Sequence, residues 1–172
     1  HAVDVNKVKE ALVRYPDVKA VFCVASETST GVRNPYEEIG KLLKDKKNCL
    51  FVVDAVTAVA AFDVDPKRDA IDILVGGSQK ALMLPPGLGV VCVSDKAWQL
   101  HEKATMPRFY FDLGKERKAQ RNNQSAYTPS VSLMMGLCES LEMMKEEGRQ
   151  DLFKRHKRMA LATREGVKAL GL

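Results

Sequence analysis

Long apolar runs are missing from this sequence: no window of its 172 residues reaches a bilayer-spanning length, and the amino end carries neither a charged leader nor an apolar targeting core. A soluble protein is expected on that ground. Cysteine is scarce. Cys23, Cys49, Cys92 and Cys138 lie far apart without paired ligand spacing, which argues against a disulfide frame or a zinc site and for reduced core thiols in a cytoplasmic protein. No basic block exists either. The 27 lysines and arginines against 22 acidic residues leave a net charge of +5, but they are spread along helix-like segments, so they read as solvated helix faces and not as a nucleic-acid surface. His101 and His156 have no second ligand at metal-binding spacing. Gly87-Leu88-Gly89 precedes a strand-like run instead of opening a helix, and this removes a dinucleotide-binding reading. No internal repeat or low-complexity tract is found.

What is present is an alternation of helix and strand patterns, with 45% hydrophobic residues in a length that suits one good-sized core. Val5, Val8, Leu12 and Val13 recur among lysines at helical spacing, and Pro16 stops that helix. Val18 to Ala25 reads as a strand, Ser26 to Asn34 as a polar loop, and Tyr36 to Lys46 as a second helix entered at Pro35. Leu50 to Asp54 and Ile71 to Val75 are continuous apolar runs, expected to be parallel strands buried on both faces. Gly89 to Val93 is a further strand after the Pro85-Pro86-Gly87 turn. Helices are expected over Lys96 to Ala104, Ser130 to Glu147 and Asp151 to Leu170, with Gly148 as a break, whereas Pro107 to Tyr127 is aromatic and basic without clean periodicity. The expected fold class is α/β: a three-layer, mostly parallel sheet flanked by helices.

Three segments carry chemistry. Asp54 closes one apolar run, and Lys80 follows another in Gly76-Gly77-Ser78-Gln79-Lys80. In a parallel sheet both stand at the carboxyl ends of strands, where ligands bind. An amine and a carboxylate there suit one cofactor, since pyridoxal phosphate takes a lysine for its Schiff base and an acid against its pyridinium nitrogen. Each residue has a plainer reading: Asp54 as the cap of its own turn, Lys80 as a surface lysine. The glycines before Lys80 let backbone approach a ligand closely, and a partly desolvated amine beside a cationic ring loses its proton more readily. The hydroxyls of Ser26-Glu27-Thr28-Ser29-Thr30-Gly31 project over the same edge, or simply form a turn before a helix. Val56 stands where it can pack under a ring.

In combination, Glu-Thr-Ser-Thr-Gly from Glu27, Val-Asp-Ala-Val-Thr from Val53 and Gly-Ser-Gln-Lys-Ala-Leu from Gly77, followed by Pro-Pro-Gly, resemble the class V aminotransferases of pyridoxal-phosphate fold type I. The similarity is strongest to the alanine–glyoxylate and serine–pyruvate or serine–glyoxylate branch. It implies pyridoxal 5'-phosphate as cofactor, Lys80 and Asp54 as catalytic residues, and Gln79, Thr28, Val56, Ser78 and Thr128 as further cofactor-binding residues. Gln79 is expected at the phosphate with Ser78 as helper, Thr28 at the phenolic side of the ring, and Thr128, in Tyr127-Thr128-Pro129, at the phosphate of a neighbouring subunit.

The implied protein is a homodimer acting on amino acids and 2-oxo acids, with alanine or serine as donor and glyoxylate or pyruvate as acceptor. Family members are roughly twice this length, and the chain begins with His1 instead of Met. Residues 1–147 are then expected to be the second half of the cofactor-binding large domain, and 148–172 a helix leading toward a small domain. The glycine-rich phosphate cup and the substrate-carboxylate arginine would lie outside the segment, so residues 1–172 alone are expected to be inactive. Two alternatives stand beside this one. A cysteine desulfurase-like lyase shares fold and cofactor, but that branch has His where this chain has Gln79 and needs a reactive cysteine on a mobile loop. A truncated, non-catalytic interaction module would use the basic helices alone. Phe109, Tyr110 and Phe111 among basic residues fit either a dimer surface or a loop over the chain's own domain.

Overall fold

A computed structural model describes residues 1–172, beginning with helix α1 (Val5–Arg14), whose first turn is capped by the Asp4 carboxylate accepting from the Asn6 amide. It ends ahead of Pro16, as the steric restriction on pre-proline residues demands. Strand β1 (Ala20–Val24) follows, then a two-residue antiparallel hairpin, β2 (Ser26–Glu27) and β3 (Val32–Arg33), within the segment expected to be a loop. Helix α2 (Tyr36–Leu43) leads to β4 (Leu50–Asp54), β5 (Ile73–Gly77) and β6 (Gly89–Val93).

The sheet has the order β1-β4-β5-β6, with β1, β4 and β5 parallel and β6 antiparallel to β5. It is a mostly parallel sheet flanked by helices, as expected. β5 starts and ends two residues later than its apolar run suggests. The returning β6 is the reason, because Val90 and Gly89 pair with Gly76 and Gly77 and keep both glycines in the ladder.

Phe51 and Val53 of β4 pack with Leu12 of α1 and Ile39 and Leu43 of α2 in one buried cluster. Tyr36, Phe51 and Val53 are fully buried there, and this cluster is the main source of hydrophobic stabilisation. Asp72 ties the opposite end of the sheet. One of its oxygens accepts from the Phe51 amide at 2.9 Å and pairs with Lys96 at 2.6 Å, and the other accepts from Ser94 Oγ at 2.9 Å. Lys96 also donates to the Cys49 carbonyl, so a buried carboxylate joins β4, β5 and the next helix with its charge matched.

Burial on both faces does not hold. Phe22 of β1 is 76% exposed, and Val24 and Val91 are exposed too, because the face opposite α1 and α2 is not covered at the outer strands. Cys92, on edge strand β6, and Cys138 are exposed as well; only Cys23 and Cys49 are core thiols, and burial pushes both of these up from the usual thiol range.

Helix α3 (Asp95–Glu102) is capped by Ser94, whose hydroxyl accepts from the Ala97 amide. A short helix, α4 (Leu113–Gln120), forms inside the stretch that lacked periodicity. None of its residues is buried, so no apolar stripe marks it, and the Asp112 cap supplies its start. The long helices α5 (Val131–Glu147) and α6 (Arg149–Ala169) meet at Gly148, whose φ of +85° suits glycine. No helix is long and apolar enough to cross a membrane.

Candidate active site

Because β4 and β5 run in the same direction, their carboxyl ends share one edge. Asp54 stands in register with Val24 on β1 and with Val75 on β5, and the Ala55 amide donates to the Val75 carbonyl at 2.8 Å just past the strand end. Asp54 is exposed; its Oδ1 accepts from the Val56 amide at 3.0 Å and so caps the turn, while its Oδ2 takes no hydrogen bond within the chain.

Past β5 the chain enters a closed loop, residues 78–88. Ser78 is fully buried, donates its hydroxyl to the Pro85 carbonyl at 2.7 Å and accepts from the Leu88 amide at 3.1 Å. Its backbone takes part as well, with Ser78 N reaching the Leu88 carbonyl at 3.0 Å and Leu84 N reaching the Ser78 carbonyl at 3.1 Å. The Ser78 side chain is thus committed to closing the loop, and a direct contact from it to a bound molecule would require those pairs to open. Gln79 and Lys80 lie on the exposed side of the same loop. Neither side chain has a hydrogen-bond or ion-pair partner, whereas Ser78 beside them has two.

Gly77 shows how close the groups come. A Cβ at this position would stand 2.8 Å from Gln79 Oε1 and 3.3 Å from Val56 Cγ1, so the space above Gly77 is a cradle walled by those two side chains. Val56 follows Asp54 by two residues, and Gln79 precedes Lys80. The carboxylate, the apolar side chain, the amide and the amine therefore gather at one edge.

Thr28 reaches the same edge by the hairpin that leaves β1. The Ala25 amide donates to the Asp54 carbonyl at 2.8 Å, and Thr57 Oγ1 donates to the Ser26 carbonyl at 2.8 Å, which pins the hairpin to the turn after Asp54. Asn34 closes its far side by donating to the Val24 carbonyl at 2.8 Å. Next to Thr28, the Ser29 amide and hydroxyl hold the Glu27 carboxyl below its usual range. Thr28 itself is exposed with a free hydroxyl. Thr57, in the turn after Asp54, carries no local mark in the sequence of a partner 31 residues away.

Thr128 is not part of this group within one chain. It lies exposed before α5, no hydrogen bond joins it to Asp54, Gln79 or Lys80, and its neighbour Tyr127 donates to the Phe109 carbonyl at 3.0 Å and stacks against Tyr110 at 4.5 Å between ring centroids.

The family model described as aminotransferase class-V matches residues 2–172. A soluble hydrogenase 42 kDa subunit from Anabaena cylindrica is 46% identical over 156 residues, covering 91% of this chain and 41% of that protein. The serine–glyoxylate aminotransferase of Arabidopsis thaliana is 38% identical over 157 residues, covering 90% of this chain and 39% of the relative. The crystal structure of pyridoxamine–pyruvate aminotransferase from Mesorhizobium loti superposes with a TM-score of 0.93 at 32% identity, over 99% of this chain and 44% of that one. The chain therefore spans about two fifths of the length of the relatives it matches.

Proposed function

The chain belongs to the class-V aminotransferase family, and we propose on that premise that the whole protein is an aminotransferase taking nitrogen from alanine or serine and passing it to glyoxylate or pyruvate. Pyridoxal 5'-phosphate is the cofactor that this family and its aminotransferase neighbours imply. The residues present fit it. Lys80 Nζ, the Gln79 amide, the Thr28 hydroxyl and Asp54 Oδ2 are unengaged at one sheet edge, while the polar groups between them, those of Ser78, Thr57 and Ser29, are paired within the chain. That sorting into free and committed groups around the Gly77 cradle is the observation that carries the reading.

When bound, the cofactor supplies an electron sink for the charge left on a substrate α-carbon. Asp54 Oδ2 is the carboxylate that would keep the ring nitrogen protonated, with Oδ1 held by Val56 N so that the group is already oriented. Lys80 Nζ would hold the cofactor's aldehyde carbon and, once released by an incoming amino acid, take and return the α-proton as general base. Val56 would pack against the ring, Thr28 donate to its phenolic oxygen and Gln79 bond the phosphate. Ser78 would serve the phosphate indirectly, by fixing the loop from which Gln79 and Lys80 project.

The same reading takes residues 1–147 as part of the cofactor-binding large domain, 148–172 as a helix toward a small domain with Gly148 as the joint, and residues 1–172 alone as inactive. A homodimer follows from it, with Thr128 reaching the partner subunit's cofactor; the exposure of Phe109, Tyr110 and Phe111 next to Thr128's segment supports an interface there. The four free thiols support a reducing, cytoplasmic setting.

The test uses the full-length protein. Lys80→Ala should lose both the cofactor's absorbance in the bound state and turnover of alanine or serine with glyoxylate, and an unchanged rate would defeat the assignment. Asp54→Asn should still bind cofactor but transaminate more slowly; undiminished activity there removes the role given to its carboxylate. Sulfide release from cysteine in place of keto-acid formation would favour the lyase reading.

A further inference from the structure

A serine on α5 holds the loop that carries Lys80. Ser140 is the single buried residue of that 17-residue helix, and its hydroxyl donates to the Leu82 carbonyl at 2.7 Å across 58 residues of sequence. A mid-helix serine usually returns its hydroxyl to the carbonyl one turn back or points to water; this one leaves its own helix. Leu82 is 6% exposed, and no backbone amide reaches its carbonyl. A buried acceptor thus depends on one hydroxyl.

The contact extends along one stripe of α5. A Cβ on Gly136 would stand 2.8 Å from Leu84 Cδ2, and one on Gly87 would stand 2.5 Å from Leu133 Cδ1. Positions 133, 136 and 140 are three and four residues apart, which places them on one helix face. Between Leu82 and Leu84, Met83 has a φ of +60°. A left-handed conformation in a methionine persists only where the surroundings over-determine it.

We propose that Ser140 is a positioning residue for Lys80: by holding the carbonyl two residues further on, it fixes the loop from which Nζ reaches the sheet edge. This rests on the reading of Lys80 as the cofactor-holding amine. Deleting the hydroxyl leaves the Leu82 carbonyl buried without a donor, and the loop gains by opening toward water. A displacement of about 1 Å in a reacting group is enough to cost about a hundredfold in rate.

The experiment compares Ser140→Ala, Ser140→Thr and Lys80→Ala in the full-length protein. Amide hydrogen exchange of residues 79–86 is followed without cofactor, and the rate of borohydride fixation of pyridoxal phosphate on Lys80 is read by peptide mass. Ser140→Ala should speed exchange in 79–86 and slow fixation, each by about tenfold, and Ser140→Thr should return both toward the parent values. A folded Ser140→Ala with a lower thermal midpoint but unchanged exchange and fixation overturns the proposal, as does a folded Ser140→Thr that restores neither. Should Ser140→Ala not fold, Ser140→Cys, of similar volume and weaker donor strength, takes its place under the same criteria. Lys80→Ala separates the two readings: if it is still labelled at the same rate elsewhere in the chain, the role of Lys80 fails, while the exchange data alone still decide whether Ser140 holds the loop.

Discussion

Thr57 Oγ1 and the Ser26 carbonyl are 2.8 Å apart, and this one hydrogen bond joins the hairpin bearing Thr28 to the turn that follows Asp54. The two segments leave neighbouring parallel strands at the same edge, so the bond converts two turns of different origin into one rim. The position of the Thr28 hydroxyl relative to the Asp54 carboxylate is set through it.

Thr57→Val keeps the shape of the side chain and removes only the donor. It should lower stability by about 1 kcal/mol, the usual net worth of such a bond when one partner is left without the other. Hydrogen exchange confined to residues 26–33 should accelerate, and the denaturant midpoint should fall slightly. Uniform exchange across the chain would mean that the hairpin is held by other contacts, chiefly the Asn34 bond to the Val24 carbonyl.

Gly40, buried in α2, faces the Asp69 backbone so closely that an added Cβ would run into the Asp69 carbonyl oxygen, and it would also stand 3.5 Å from Phe51 Cε1. Two effects compete in Gly40→Ala. Helix propensity favours alanine by about 1 kcal/mol, while overpacking against an atom of the backbone costs about 1–3 kcal/mol or more. The clash wins, because a carbonyl cannot rotate aside as a side-chain tip can. Chemical denaturation should show a net loss of about 2 kcal/mol; a stabilised variant would show that the Asp63–Asp69 loop yields freely.

Much of the fold was legible because it rests on local signals. β4 ends where an apolar run meets Asp54, β6 starts at Gly89, and α1 and α5 start and stop within two residues of their caps and breakers. α4 was not legible, since an exposed helix has no apolar stripe to give away its period. The extra length of β5 depends on pairing with β6, which no window around Gly76 contains. The same division runs through the site. Asp54, Gln79 and Lys80 stand out by their place after strands. The loop-closing bonds of Ser78 to Pro85 and Leu88 and the bond of Ser140 to Leu82 join residues seven to 58 apart and come into view only with the chain folded.

Gly77→Ala tests the cradle. Its Cβ would meet Gln79 Oε1, the far end of a flexible side chain, and press on Val56 Cγ1. Gln79 can swing away, so the variant should fold with nearly parental stability. Cofactor affinity, measured by absorbance titration in the full-length protein, should drop by about tenfold, equivalent to about 1.4 kcal/mol. An unchanged affinity would mean that neither Gln79 nor the space above Gly77 meets the cofactor.

Acid should loosen the attachment of α6 first. Asp63 is bonded by Arg68 and by Arg149, the first residue of α6, at 2.6 Å, and these guanidinium groups, Arg68 foremost, hold its carboxyl below the ordinary 3.8. Glu147, at the end of α5, is held down likewise by Arg155 of α6. A carboxyl lowered in the folded state adds stability that is fully present above its unfolded value, and that stability is lost as pH falls through the folded value. Between pH 7 and about 5 the midpoint of unfolding should therefore be flat with respect to these groups, and below about pH 4 it should decline. Asp63→Asn removes the titrating group and keeps its shape, so its decline in acid should be shallower than the parent's, with a small loss at neutral pH because the pair is half exposed and screened. Equal acid slopes for variant and parent would assign the acid limb to other carboxylates.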